Sequence, residues 1–144
     1  MSDISEAVRS LVTARAKGGC EYCLLPAEGQ AGRFPVDHIL PRTAGGSTEL
    51  GNLALACPHC NAHKWSHTQG LDDETGTVVP LFHPRRHLWA DHFAWADDPA
   101  FHILGLDPIG RVTVARLQMN HPDLIVARRL LAALKMFPPA ADPT

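Results

Sequence analysis

Four cysteines fall in two pairs, Cys20-x2-Cys23 and Cys57-x2-Cys60, with 33 residues between the pairs. A two-residue spacer lets both sulfurs of a pair converge on one ion, and two such pairs complete the tetrahedron that Zn²⁺ prefers. Four thiolates close that shell, so a zinc held this way is structural and has no open position for catalysis. Two blander readings compete. One is four unpaired buried thiols; the other is a redox pair of thioredoxin type, disfavoured because neither pair sits in a βαβ pattern. If zinc is bound, the segment between the pairs is pinned at both ends.

Inside that segment lie Asp37-His38, then Asn52 fourteen residues after His38, and Asn61 directly after the last cysteine. Taken singly, each has an ordinary reading: a surface pair at a strand end, a turn residue, a helix N-cap. Taken in order, Val36-Asp37-His38-Ile39-Leu40-Pro41, Gly45-Gly46, Asn52-Leu53 and Cys57-Pro58-His59-Cys60-Asn61-Ala62-His63-Lys64 resemble the HNH nuclease family. The likeness runs from Cys20 to about Lys64, a third of the chain.

The resemblance implies a β-hairpin packed on a helix, gripping one divalent metal. It implies His38 as the general base that takes a proton from water, Asp37 and Asn61 as ligands of the catalytic metal, and Asn52 as the brace of the loop that aims His38. The residue types agree with that chemistry. An imidazole titrates near neutrality, and general-base catalysis contributes typically ~10²–10⁴ in rate. Oxygen ligands suit Mg²⁺ or Mn²⁺. Many members of the family carry His where Asn61 stands, and an amide oxygen is a poorer ligand for softer metals, which favours Mg²⁺ or Mn²⁺ over Zn²⁺ or Ni²⁺. His63 lies two residues on and is the alternative ligand, but on a helix it points about 200° away. Arg42 and Lys64 flank the site as candidate nucleic-acid contacts, and Arg85-Arg86 as an extension of the groove.

Three elements must position these groups. Phe34 to Leu40 reads as a short strand stopped by Pro41, and Leu53 to Ala56 as a second, the two joined by a turn cluster at Thr43–Thr48. A helix is expected from Asn61 to His67. Before them, Ile4, Ala7, Val8, Leu11 and Val12 recur at helical spacing, with Asp3 placed three residues before Glu6 as in a capping box, and Gly18-Gly19 end that helix. After them come a solvated turn at Asp72–Gly76, a strand over Val78–Phe82, and a short helix with Trp89, His92 and Phe93 on one face. A strand over Phe101–Leu106 comes next, then a helix capped by Asp107-Pro108 and running to about Met119. Gly110 argues against that helix, and the alternation of Val112 and Val114 also permits a strand. A helix from Pro122 to Met136 follows, with Leu124, Leu131 and Leu134 apolar. Trp89, Phe93 and Trp95 read as core, and the tail Pro138–Thr144 as frayed.

Length and composition set the bounds. A chain of 144 residues fits one domain that buries roughly 70% of its unfolded surface. Eleven glycines, twelve prolines and nine aromatics describe a loop-rich fold that a metal would help to hold. The net charge of −2, which four thiolates and a Zn²⁺ take to about −4, excludes a protein that relies on bulk electrostatic attraction to DNA. No apolar stretch reaches the ~18 residues of a membrane span, and the N-terminus lacks a signal-peptide pattern. The expected compartment is the cytoplasm, where thiols stay reduced.

The expected architecture is α+β, a single domain over 1–144. It comprises a ββα-metal (HNH) centre at 20–67 stapled by a four-cysteine zinc site, and a mainly helical C-terminal extension at 78–137. The expected function is metal-dependent hydrolysis of DNA phosphodiester bonds, leaving 5′-phosphate and 3′-hydroxyl ends as the resemblance implies. The rival is a non-catalytic zinc module that binds DNA or a protein partner, which needs none of Asp37, His38 and Asn52.

Overall fold

A computed structural model describes residues 4–99 and 101–139. The first helix, α1 (Glu6–Arg15), is capped by Ser5, whose hydroxyl accepts from the Val8 amide at 3.1 Å. The expected cap Asp3 lies outside the described residues, as does the tail from 140 to 144. Only Val12 of α1 is fully buried, and Leu11 is exposed, so the stripe is narrower than its spacing predicts. Two arginines attach α1 to the hairpin region. Arg9 donates to the Phe34 carbonyl, and Arg15 to those of Leu50 and Leu53.

Strand β1 (Val36–His38) pairs antiparallel with β2 (Leu53–Leu55), placing Val36 opposite Leu55 and His38 opposite Leu53. β2 is buried on both faces, which is why it reads as an unbroken apolar run. Helix α2 (Pro58–Lys64) begins three residues before the expected Asn61. Cys57 is its N-cap and Pro58 its first residue, a position that suits a ring without an N–H. The second cysteine pair is therefore the first turn of a helix.

The unanticipated strand β3 (Gln69–Asp72) pairs with β4 (Thr77–Pro80). Its composition, Gln-Gly-Leu-Asp, hid it. Asp72 is 2% exposed and holds the turn through Thr75, so the solvated part of that turn starts one residue later than expected. A short α3 (Trp89–His92) runs directly into β5 (Phe93–Trp95), which pairs with β6 (Ile103–Gly105).

Helix α4 (Pro108–Leu117) starts at the Asp107 cap, whose carboxylate accepts from the Gly110 amide at 2.8 Å. Gly110 serves the helix rather than breaking it. A Cβ there would lie 2.0 Å from the His92 carbonyl oxygen, and one at Gly105 would lie 2.5 Å from the Arg111 amide. Both glycines let α4 pass close to the α3–β6 backbone, and α4 packs in turn on α2 and β3. Helix α5 (Pro122–Ala133) buries Leu124 and Leu131. Leu134, just beyond its end, is exposed instead of apolar core. The rings of Trp89, Phe93 and Trp95 pack against the core, joined by Phe101 and Phe137.

Candidate active site

The four cysteine sulfurs lie within 4.8 Å of one another, each residue no more than 1% exposed. Cys23 Sγ and Cys57 Sγ are 3.7 Å apart. A tetrahedron with Zn–S bonds of ~2.3 Å has edges of ~3.8 Å, so the donor set fits one zinc ion. The two pairs are built alike: the Cys23 amide approaches Cys20 Sγ at 3.4 Å, and the Cys60 amide approaches Cys57 Sγ at 3.4 Å. The neighbouring sulfurs, with burial, push the Cys60 thiol well above its ordinary range. Four buried sulfurs hold negative charge together only around a cation.

A buried cationic side chain stands beside them. Arg128 of α5 is fully buried, donates to the Phe101 and Met119 carbonyls and the Asn120 side chain, and meets no carboxylate among the described residues. Its Nε has no hydrogen-bond partner among the described residues. Burial pulls the guanidinium below its ordinary value, and the sulfurs of Cys23, Cys60 and Cys57 push it back up.

Asp37 on β1 is 5% exposed. Its Oδ2 accepts from the Tyr22 hydroxyl at 2.7 Å, and Lys64 of α2 lies 3.2 Å from the same oxygen and 3.3 Å from Oδ1. Burial raises the Asp37 carboxyl above the usual carboxylate range, although Lys64 and Tyr22 both act the other way. Lys64 is 1% exposed and also donates to the carbonyls of His38 and Ile39. The expectation that Lys64 meets phosphate is corrected: its ammonium faces inward and ties α2 to β1. Arg42 is exposed at the start of the 3₁₀ turn Arg42–Ala44, four residues past His38.

His38 is half-buried, with Nε2 3.0 Å from the Thr48 hydroxyl. Asn52 knots the loop between them. Its Oδ1 accepts from the Leu40 amide at 2.8 Å, while Nδ2 donates to the Leu40 carbonyl at 3.0 Å and the Ser47 carbonyl at 2.7 Å. Gly46 sits inside the knot: a Cβ there would lie 1.7 Å from the Leu40 oxygen. Asn61 lies one turn before Lys64 on α2, half-buried, and its side-chain amide has no hydrogen-bond partner among the described residues. His63 turns away from this face. Its ring stacks on His59 at 4.0 Å between centroids, with His121 beyond.

Three contributors were not singled out from the sequence. Tyr22, the chain's only tyrosine, lies between the first two cysteines and reaches Asp37; its uniqueness was a signal. Thr48 carries no signal, since only the fold of the loop brings it to His38. Glu21 accepts from the Leu55 amide at 2.8 Å and pairs with Arg85, so the Arg85 guanidinium is held by a carboxylate of the chain itself.

Residues 20–67 match the family model for the HNH endonuclease. No curated protein and no solved structure matches the chain.

Proposed function

We propose that this HNH domain hydrolyses phosphodiester bonds of DNA, with His38 as the general base. One observation carries the reading. Within the matched segment, Asp37 and His38 stand side by side on β1, and α2, pinned to Asp37 by Lys64, carries the unpartnered amide of Asn61. Asp37 and Asn61 offer hard oxygen donors, which fit Mg²⁺ or Mn²⁺ better than a softer ion. Bound there, such an ion supplies positive charge at the scissile phosphate.

The remaining steps belong to the chain. Neutral His38 accepts a proton from the attacking water as the new P–O bond forms and the P–O3′ bond breaks, and the departing oxygen takes a proton from solvent. Thr48 steadies the imidazole, and the Asn52 knot holds the loop that carries Thr48. A zinc held by Cys20, Cys23, Cys57 and Cys60 would keep hairpin and helix in register without touching substrate. Among the described residues no helix is long and apolar enough to cross a membrane.

The test is plasmid nicking across several divalent metals with wild type and His38→Ala. The variant is expected to lose about 10²–10⁴ in rate with zinc content unchanged. Equal nicking by both proteins, or none by either, overturns the reading.

A further inference from the structure

Beside the catalytic loop lies an open cleft of about 650 Å³. One wall is the loop with Ser47 and Asn52; the other is the turn after β4, with His83, Arg86 and His87. That turn is closed by its own bonds, since the amides of Arg86 and His87 both reach the His83 carbonyl. It also sets both imidazoles. His87 Nδ1 accepts from the His83 amide at 2.9 Å, and His83 Nδ1 accepts from the Arg85 amide at 3.2 Å. A ring nitrogen that accepts carries no proton, so each neutral ring bears its proton on Nε2 and is a donor there.

Arg86 is exposed, and its guanidinium has no protein partner among the described residues. The adjacent Arg85 differs, being held by Glu21. Burial first, and Arg86 among the nearby cations, hold His83 and His87 below the ordinary histidine range. Glu49, exposed on the loop, is the one acid that lines the cleft. A wall of a guanidinium and two N–H donors, contiguous with the loop that aims His38, has the chemistry of an anion track.

We infer that this cleft seats the phosphodiester backbone of the substrate strand beside the scissile phosphate, with Arg86 and the Nε2–H groups of His83 and His87 as its contacts. This rests on the hydrolase reading for the identity of the anion. Backbone phosphates occur in DNA and RNA alike, and the contacts named here reach no base.

The experiment measures binding of a short DNA duplex, and of an RNA duplex of the same sequence, without added divalent metal and over a series of salt concentrations. The proteins are wild type, Arg86→Ala, the double variant His83→Asn/His87→Asn, and Arg129→Ala as a control for an exposed arginine elsewhere. Asparagine keeps an acceptor near the Nδ1 position and removes the Nε2 donor. Arg86→Ala is expected to weaken binding severalfold and to make the slope of log affinity against log salt shallower by about 0.9, the signature of one lost phosphate contact. The His variant weakens binding too, and Arg129→Ala leaves it unchanged. Preference for DNA over RNA assigns the track to DNA; equal affinity assigns it to the backbone shared by both. The cleft is overturned if Arg86→Ala and the His variant bind with wild-type affinity and slope, or if wild type binds neither duplex. A wild type that binds with these dependences yet nicks no plasmid overturns the hydrolase reading and leaves the cleft standing.

Discussion

Lys64 and Asp37 form a buried ion pair between α2 and β1, with side-chain exposures of 2% and 5% and an N–O separation of 3.2 Å. Together with the Tyr22 hydroxyl, the pair fixes the carboxylate of the proposed metal ligand before any ion arrives. Removing one partner of such a pair leaves the other charge buried and unpaired, which costs about 3–5 kcal/mol. Lys64→Met is therefore expected to lower stability by about that amount, and Tyr22→Phe by about 1.5–3 kcal/mol for a hydrogen bond to a charged group. Urea unfolding measures both. A Lys64→Met protein with the wild-type midpoint would show that the pair is not buried.

Asp37 is the one formal charge in the proposed metal shell, so Asp37→Ala should abolish metal-dependent nicking. Asn61→Ala should raise the metal concentration required. Asn61→His should move the preference toward Ni²⁺, Co²⁺ or Zn²⁺, which imidazole suits. Titrating each variant with each metal during plasmid nicking gives the answer. If His63→Ala raises the requirement and Asn61→Ala does not, the helix face has been assigned wrongly.

The loop that aims His38 depends on a close backbone approach. At Gly46 an added Cβ meets the Leu40 oxygen at 1.7 Å, whereas at Gly51 it meets nothing within 4 Å. Gly46→Ala must open the knot around Asn52, and Asn52→Ala removes its three side-chain hydrogen bonds, each worth about 1 kcal/mol. Both should slow nicking while zinc content and far-UV circular dichroism stay unchanged, and Gly51→Ala should behave as wild type. Full activity in Gly46→Ala would separate the loop from catalysis.

Zinc removal should unfold much of residues 20 to 65, because structural zinc in small modules is worth roughly 10–16 kcal/mol. Arg128 extends this dependence to α5, since its buried charge faces the cysteine sulfurs and only neutral hydrogen-bond acceptors. Arg128→Met is expected to lose zinc to a chelator faster than wild type, and Arg129→Ala at the wild-type rate. Zinc release followed with a chromogenic indicator decides it. Equal release rates for all three proteins would refute the coupling.

Arg111 of α4 grips Asp72 at the end of β3 with two hydrogen bonds, 2.9 and 3.0 Å, and holds its carboxyl well below the usual carboxylate range. A depressed folded-state value contributes stability that is complete above the ordinary carboxylate pKa and is lost as pH falls toward the folded-state value. The melting temperature of wild type should therefore fall on acidification below about pH 4. Arg111→Met should start lower at neutral pH and show a flatter acid limb. Parallel acid limbs in the two proteins would remove Asp72 from the account.

The four-cysteine cluster and the order strand, strand, helix could be read from the sequence because they depend on local spacing. Cys-x2-Cys fixes a sulfur-to-sulfur reach, short apolar runs between Gly and Pro give strands, and Asp107-Pro108 writes its own cap. The candidate site residues are gathered through the resemblance, since Asp37, His38, Asn52 and Asn61 stand around the cysteine pairs in the order the HNH family keeps. What tertiary structure decided is which way each charge faces. Lys64 and Arg85 look like surface cations in the chain, yet one is drawn onto Asp37 and the other onto Glu21, while Arg86, beside Arg85, stays in solvent. Asp72 looks like part of a solvated turn until α4 brings Arg111 to it across 39 residues. Burial and partner choice depend on contacts distant in sequence, and the strength of a charge's interaction depends on how far those contacts exclude water. Local periodicity carries no record of either.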